Sequence, residues 1–88
     1  MVPLKVVFDK GEWCPVVVCD HCGERITDAR QGNYQWQQGG ETVVFTHKKC
    51  CYAYESAHGG RQAWLWADIK WLPRYLAANL KNAKEPTP

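Results

Sequence analysis

Four residues constrain this chain more than any others: Cys19, Cys22, His47 and Cys50. They form a Cys-x-x-Cys pair and a His-x-x-Cys pair, which are separated by 24 residues. Each spacing lets two side chains on one tight turn reach the same metal ion, and three cysteines with one histidine are a usual ligand set for structural zinc. The pattern predicts one bound Zn²⁺ that joins the two ends of a long loop and thereby stabilises the fold.

The length of the chain makes such a metal site physically useful. With 88 residues we expect one domain, close to the size below which an apolar core often needs additional cross-links. A secreted disulfide scaffold is disfavoured because the five cysteines are odd in number and mostly paired at metal spacing. No secretory apolar segment and no run of about 20 apolar residues is visible. We expect a soluble, cytoplasmic protein with reduced thiols and no membrane partner.

Residues 1–18 predict an N-terminal β-hairpin. Two mostly apolar runs, 4–8 and 14–19, are rich in β-branched residues, and Asp9-Lys10-Gly11 between them favours a turn. The first metal-ligand pair follows at once on a turn over residues 19–23, here called the knuckle. Its last residue is a glycine, which adopts the positive φ that such a turn requires at little cost.

Residues 19–60 predict a metal module with a second hairpin and a helix. Runs at 34–37 and 41–46 alternate aromatic or aliphatic with polar residues around a Gln-Gly-Gly turn. The alternation predicts an apolar face and assigns Gln35 and Gln37 to the solvent-exposed face. The apolar face comprises Tyr34, Trp36, Val43 and Phe45. A helix is predicted over residues 48–57, ended by the glycines that follow His58.

Residues 61–83 predict an aromatic, helical C-terminal segment. Its aliphatic residues recur at helical spacing, and they are Leu65, Ile69, Leu72, Leu76 and Leu80. Proline is favourable at the first position of a helix, so Pro73 predicts a short turn over 68–71 and a main helix over 73–81. We expect this stripe to pack on the apolar face of the second hairpin. Residues 84–88 are predicted to be a disordered tail.

The order knuckle, hairpin, helix resembles a treble-clef zinc finger over residues 17–60. The Cys-x-x-Cys…His-x-x-Cys order is similar to the first zinc module of a LIM domain, although no second set of four ligands follows. The resemblance implies zinc-ligand roles for the four residues and, for a LIM-like module, binding to other proteins. The predicted fold class is α+β: a small zinc-stabilised, treble-clef-like domain with an N-terminal hairpin and an amphipathic C-terminal helix packed on it.

Other cysteines and histidines offer alternatives to this ligand set. Cys51 is next to Cys50, but the two-residue spacing favours Cys50, and Cys51 is about 100° further round the helix. We therefore expect Cys51 to be a small buried residue. His21 lies inside the knuckle and is expected to point away from the metal. A redox-active Cys-x-x-Cys is disfavoured because a glycine and a polar loop follow it instead of a helix.

Two features of the sequence bear on the function of the protein: the number of predicted metal ligands and the net charge. A catalytic zinc keeps an open coordination position, so four protein ligands argue against an enzyme. The net charge of +2 is too small to indicate nucleic acid by itself, although residues 1–46 carry −2 and residues 47–88 carry +4. A non-enzymatic module that binds another protein is therefore the favoured prediction, and a nucleic-acid-binding zinc finger is the alternative.

The residues predicted to contact a partner combine this basic charge with the tryptophans of the C-terminal segment, since Trp residues are typical interface anchors. They are Lys48, Lys49, Arg61, Trp64, Trp66 and Trp71. The competing interpretation is that the aromatic residues only complete the core.

Overall fold

The computed structural model describes residues 4–82, so the predicted C-terminal tail lies outside the described residues. Its strands and helices, in chain order, are β1 (Leu4–Asp9), β2 (Glu12–Val17), β3 (Gly32–Gln37), β4 (Val44–His47), α1 (Lys48–Ala57), β5 (Trp64–Asp68) and α2 (Leu72–Asn79). Short 3₁₀ turns occur at Ala29–Gln31, Arg61–Ala63 and Ile69–Trp71. The described chain is therefore a small mixed α/β structure with two antiparallel sheets.

The N-terminal hairpin is confirmed, and its turn explains its register. β1 and β2 pair from Leu4 opposite Val17 to Asp9 opposite Glu12. The two turn residues, Lys10 and Gly11, have φ angles of 52° and 86°. Positive φ at both positions is the geometry of a type I′ turn, whose twist matches that of the paired strands. β2 begins at Glu12, two residues before the predicted run.

The second hairpin is also confirmed, but it belongs to a three-stranded sheet in the order β4-β3-β5. β3 pairs with β4 from Gly32 opposite His47 to Gln35 opposite Val44. β4 begins at Val44 instead of residue 41, since residues 40–43 lie outside any strand. The Gly40 N–H donates to the Gln37 carbonyl at 2.8 Å and closes the turn after β3. The connection between these strands is consequently a loop over residues 38–43.

The prediction that residues 61–83 form a helical segment is wrong for residues 64–68. Residues 64–68 form β5, which pairs along the free edge of β3 from Trp64 opposite Gln37 to Asp68 opposite Asn33. An unpaired sheet edge leaves backbone donors and acceptors without partners, and aromatic residues suit strands. These two effects outweigh the helical spacing of the leucines. The C-terminal segment thus joins the domain by strand pairing as well as by side-chain packing.

The predicted aliphatic stripe is divided by this change of structure. Ile69 is buried in the core and Leu72 packs against it, whereas the remaining members are exposed. The exposed members are Leu65, Leu76 and Leu80. Helix α2 carries Pro73 in its first turn, as expected, but it has no buried residue. The prediction that this helix packs through an amphipathic face is therefore wrong beyond Leu72.

The apolar core lies between one face of the three-stranded sheet and the knuckle. Its buried members are Cys19, Ile26, Tyr34, Phe45, Cys50 and Ile69, with Trp36 packed at the margin. The predicted apolar face is therefore confirmed for the strand residues, whereas Val43 lies in the loop and is exposed. A Cβ atom at Gly32 would lie 2.6 Å from Ile69 Cδ1 and 2.8 Å from Ile26 Cγ2. Glycine is thus required where β3 passes beneath these two side chains.

The opposite face of the sheet is polar and buried, which corrects the prediction for Gln35. Helix α1 covers this face, and Gln35 is 0% exposed while Gln37 is exposed as predicted. Gln35 Nε2 donates to Glu55 Oε2 at 3.1 Å, and Thr46 Oγ1 donates to Gln35 Oε1. Arg61 Nε lies 3.5 Å from Glu55 Oε1 at the margin of the cluster. The Gln35 side chain of β3 therefore donates a hydrogen bond to the buried Glu55 carboxylate of α1.

Replacing Gln35 with leucine should destabilise the protein by about 2–4 kcal/mol, because both Glu55 and Thr46 then lose a buried hydrogen-bond partner. The measurement is urea unfolding in the presence of Zn²⁺. Gln37→Leu, at an exposed position on the same strand, is the matched control and should change the unfolding free energy by less than about 1 kcal/mol. If both substitutions change the unfolding free energy by the same amount, the buried hydrogen bonds of Gln35 do not stabilise the fold.

Candidate metal centre

Each ligand pair is positioned by a local backbone structure. Cys19 and Cys22 lie on the knuckle that follows β2, where Gly23 has a φ of +79° and donates its N–H to the Cys19 carbonyl at 2.9 Å. His47 is the last residue of β4 and the N-cap position of α1. Cys50 lies in the first turn of α1. The strand-to-helix junction therefore positions His47 and Cys50, and the knuckle positions Cys19 and Cys22.

Asp20 holds the knuckle against β4. Its N–H donates to the Phe45 carbonyl at 2.7 Å, and its Oδ2 accepts from the Phe45 N–H at 3.0 Å. These two bonds extend the edge of the sheet onto the turn, so that two segments far apart in sequence meet. Sequence reasoning missed this role, although an aspartate directly after a ligand cysteine is a residue type that often bonds to backbone groups in turns.

The four ligand atoms lie close enough together to hold one metal ion. All of them lie within 4.8 Å of one another, and Cys22 Sγ is 3.4 Å from His47 Nδ1. A tetrahedral ion with Zn–S bonds of about 2.3 Å and Zn–N bonds of about 2.0 Å separates S and N by about 3.5 Å. The residues present therefore fit one metal ion, with Nδ1 as the histidine donor.

The centre is buried on one side and open on the other. Cys19 and Cys50 are buried in the apolar core, Cys22 is exposed and His47 is half-buried. An ion can therefore reach the site from the side of Cys22 and His47, and once bound it would join the core to the surface turn.

Backbone hydrogen bonds favour a thiolate at Cys19. Burial by itself raises the pKa of this thiol, but backbone N–H groups outweigh that effect and lower the pKa to about 7. The N–H groups of Cys22 and His47 lie 3.5 Å and 3.4 Å from Cys19 Sγ. These two N–H groups are the positive ends of backbone dipoles. They favour the negatively charged thiolate, which is the form of cysteine that binds a metal.

Cys50 is different, because its surroundings favour the neutral thiol unless a cation is bound. Burial raises its pKa, and the nearby Cys19 and Cys22 raise it further, to about 11. Three thiolates this close together repel one another strongly. A bound cation removes that repulsion, and the chemistry of the cluster therefore favours occupancy by a metal.

The alternatives to this ligand set lie elsewhere. Cys51 is buried, as predicted, and its Sγ donates to Glu55 Oε2 at 3.5 Å. His21 is exposed, and neither residue belongs to the cluster of four. His58, at the end of α1, has Nδ1 2.8 Å from the Tyr54 carbonyl.

The six residues predicted to contact a partner are not brought into one site. Lys48, Arg61 and Trp66 line a cleft of about 330 Å³ beside α1, together with Asn33, Cys51, Tyr52 and Asp68. Lys49 lies near Thr27 and Asp28 on another side. Trp64 donates its Nε1–H to the His58 carbonyl at 2.9 Å, and Trp71 is exposed at the start of α2.

Lys48 has a structural role that the sequence did not reveal. Its Nζ lies 2.6 Å from Asp68 Oδ1, and this contact holds the pKa of the Asp68 carboxyl below its usual range. A lysine in the first turn of a helix is unfavourable toward the helix dipole. The ion pair to the end of β5 offsets that cost and links α1 to the edge strand.

Comparisons with protein-family models, with curated proteins and with solved structures find no match to this chain. Within residues 4–82, no helix combines the length and the apolar character needed to cross a membrane.

Proposed function

We propose that this protein is a zinc-stabilised, non-enzymatic domain that binds another protein. Four ligands from the chain close a tetrahedral coordination sphere, whereas catalytic zinc keeps one position for water or substrate. Zinc is favoured over other divalent ions because thiolate and imidazole donors in tetrahedral geometry suit it best. The order of knuckle, hairpin and helix supports a treble-clef fold around this ion.

The observation that carries the binding role is the apolar surface left by α2. Trp71, Tyr75, Leu76 and Leu80, here called the C-terminal face, are 44 to 58% exposed. Tyr75 and Leu76 lie within α2, and Trp71 and Leu80 flank it at its two ends. Exposed apolar surface rich in Trp and Tyr is typical of a protein interface.

The charges around this surface indicate the chemistry of the partner. Lys70, Arg74 and Lys81 are exposed at or beside the C-terminal face, and Asp68, the nearby acidic residue, is already paired with Lys48. Rim charges guide association toward a partner of opposite sign. We therefore propose a protein partner whose apolar contact surface is bordered by acidic side chains.

The test is quantitative capture from a nuclease-treated lysate by the zinc-loaded full chain. Leu76→Glu should remove the specific partner, because it places a carboxylate in the apolar contact and opposes acidic residues on the partner. Gln38→Glu introduces the same charge at an exposed position in the loop between β3 and β4, outside the C-terminal face, and should retain the partner. A set of captured proteins unchanged between Leu76→Glu and wild type would refute the C-terminal face.

The same experiment separates the nucleic-acid alternative. A protein complex should survive nuclease treatment, whereas capture through nucleic acid should be lost. Binding to random oligonucleotides that falls steeply with salt concentration would favour the alternative, because phosphate contacts release counterions. Weak binding to oligonucleotides at all salt concentrations is the result expected for a protein-binding domain.

A further inference from the structure

A second apolar surface lies at the other end of the chain, on one face of the N-terminal hairpin. Cross-strand partners in an antiparallel pair lie on the same face, and three pairs of β1 and β2 share this one. They are Leu4 with Val17, Val6 with Pro15, and Phe8 with Trp13. All six are apolar, and we call this set the hairpin face. The exposed fractions of Leu4, Val6, Phe8 and Trp13 are 50, 63, 60 and 72%.

The opposite face of the hairpin is the one attached to the rest of the domain. Val16 is buried there, and Val7 and Cys14 are half-buried. Arg25 Nη1 binds Asp9 Oδ2 at 3.2 Å, and the Ile26 N–H donates to the Val17 carbonyl at 2.8 Å. The hairpin is therefore anchored through its more polar face and through Val17, which packs on the core, while the other members of the hairpin face are exposed to solvent.

The hairpin face is held in one shape before any partner binds. Six residue pairs in register and a two-residue type I′ turn define the backbone. Phe8 and Trp13 contact each other edge to face, with ring centroids 5.3 Å apart. Little conformational freedom remains to be lost on association, which favours binding.

We infer that the hairpin face is the contact surface between two copies of this chain. The face carries no charge, so charge complementarity directs no other partner to it, while an identical apolar face matches it in size and polarity. Two-fold symmetric contacts of this self-complementary type are the commonest arrangement among soluble oligomers. This proposal is independent of the C-terminal face, which lies on a different element.

The area of the hairpin face is sufficient for such a contact. The exposed parts of its side chains amount to about 500 Å² per copy. Phe8 and Trp13 supply the largest share of this area, because an aromatic residue can bury about 150–250 Å². Two copies together would remove about 1,000 Å² from water, which reaches the lower limit expected of a specific interface. When the two-fold axis runs perpendicular to the strands, Trp13, near the turn of one copy, lies toward Leu4 at the open end of the other.

The test is sedimentation equilibrium of the zinc-loaded full chain under reducing conditions, from about 10 μM to about 1 mM. Wild type should approach twice the mass of a single chain. Val6→Lys and Trp13→Lys should each raise the dimer dissociation constant at least about tenfold, because each buries an unpaired charge in the contact. Thr42→Lys, which places a lysine at an exposed position in the loop between β3 and β4, should leave the constant unchanged. Metal content and the amide NMR spectrum verify that each variant is folded.

A measurement on wild type tests the surface itself, in case a variant fails to fold. In a mixture of isotope-labelled and unlabelled protein, intermolecular NOEs should connect the Trp13 ring with the methyl groups of Leu4 or Val6. A wild-type chain that stays monomeric at about 1 mM, or intermolecular contacts only at α2, would overturn the proposal. Loss of partner capture by the Leu76 variant has no bearing on this result, so the two proposals fail separately.

Discussion

Removing the bound metal should unfold the domain. The four ligands join the knuckle to the start of α1, and two of them, Cys19 and Cys50, are members of the apolar core. Structural zinc contributes an apparent binding free energy of about 10–16 kcal/mol in small zinc domains at pH 7. Small domains have total stabilities of about 5–15 kcal/mol. A strong chelator should therefore collapse the dispersed amide NMR signals of residues 17–60.

Elemental analysis and cysteine variants determine which residues hold the metal. We expect one Zn²⁺ per chain, and Cys19→Ser or Cys50→Ser should abolish its retention. Cys14→Ser and Cys51→Ser are the matched controls and should retain the ion, because neither thiol belongs to the cluster. Amide signals that stay dispersed after the metal is confirmed absent would contradict the proposed structural role, as would two ions per chain.

Truncation after Gly60 should also unfold the protein. It removes β5, whose five residue pairs complete one edge of β3, and it removes Ile69 from the core. Loss of a buried isoleucine side chain alone costs about 2–5 kcal/mol, and each lost backbone hydrogen bond costs about 0.5–1.5 kcal/mol. The sum is comparable with the whole stability of a small domain. Thermal unfolding and metal retention measure the outcome.

Truncation after Trp71 is the control for this experiment. It retains β5 and Ile69 and removes α2, which has no buried residue. Among the described residues that it removes, Leu72 is the one packed on the core, so the expected cost is about 1–2 kcal/mol. If residues 1–60 keep their metal and thermal stability, the strand pairing would be dispensable. A large loss on removing α2 alone would instead show that the C-terminal face supports the fold.

The elements set by local chemistry could be predicted from the sequence. The ligand pairs are each three residues apart, so their meeting depends on one turn and on one strand-to-helix junction. Helix α1 has the predicted bounds, because two glycines stop it after His58. The tight turn of the N-terminal hairpin likewise follows from Lys10 and Gly11, whose positive φ angles suit a type I′ turn.

The elements that depend on contacts between distant segments could not be predicted in this way. Leu65 and Ile69 are spaced for a helix, but residues 64–68 are a strand because β3 offers them a free edge. Gln35 alternates as a solvent-facing residue should, yet it is buried because α1 covers that face and supplies Glu55. Neither the free edge nor the covering helix is visible in the local pattern.

Short-range spacing and turn chemistry therefore specify the candidate metal ligands, the N-terminal hairpin and the bounds of α1. Which surfaces are covered depends instead on the packing of distant segments in the folded chain. This packing pairs β5 with β3, buries the polar side of the sheet under α1, and leaves the hairpin face and the C-terminal face in solvent. The physical reason is that burial and edge pairing are properties of two surfaces that meet, and a periodic pattern describes only one of them.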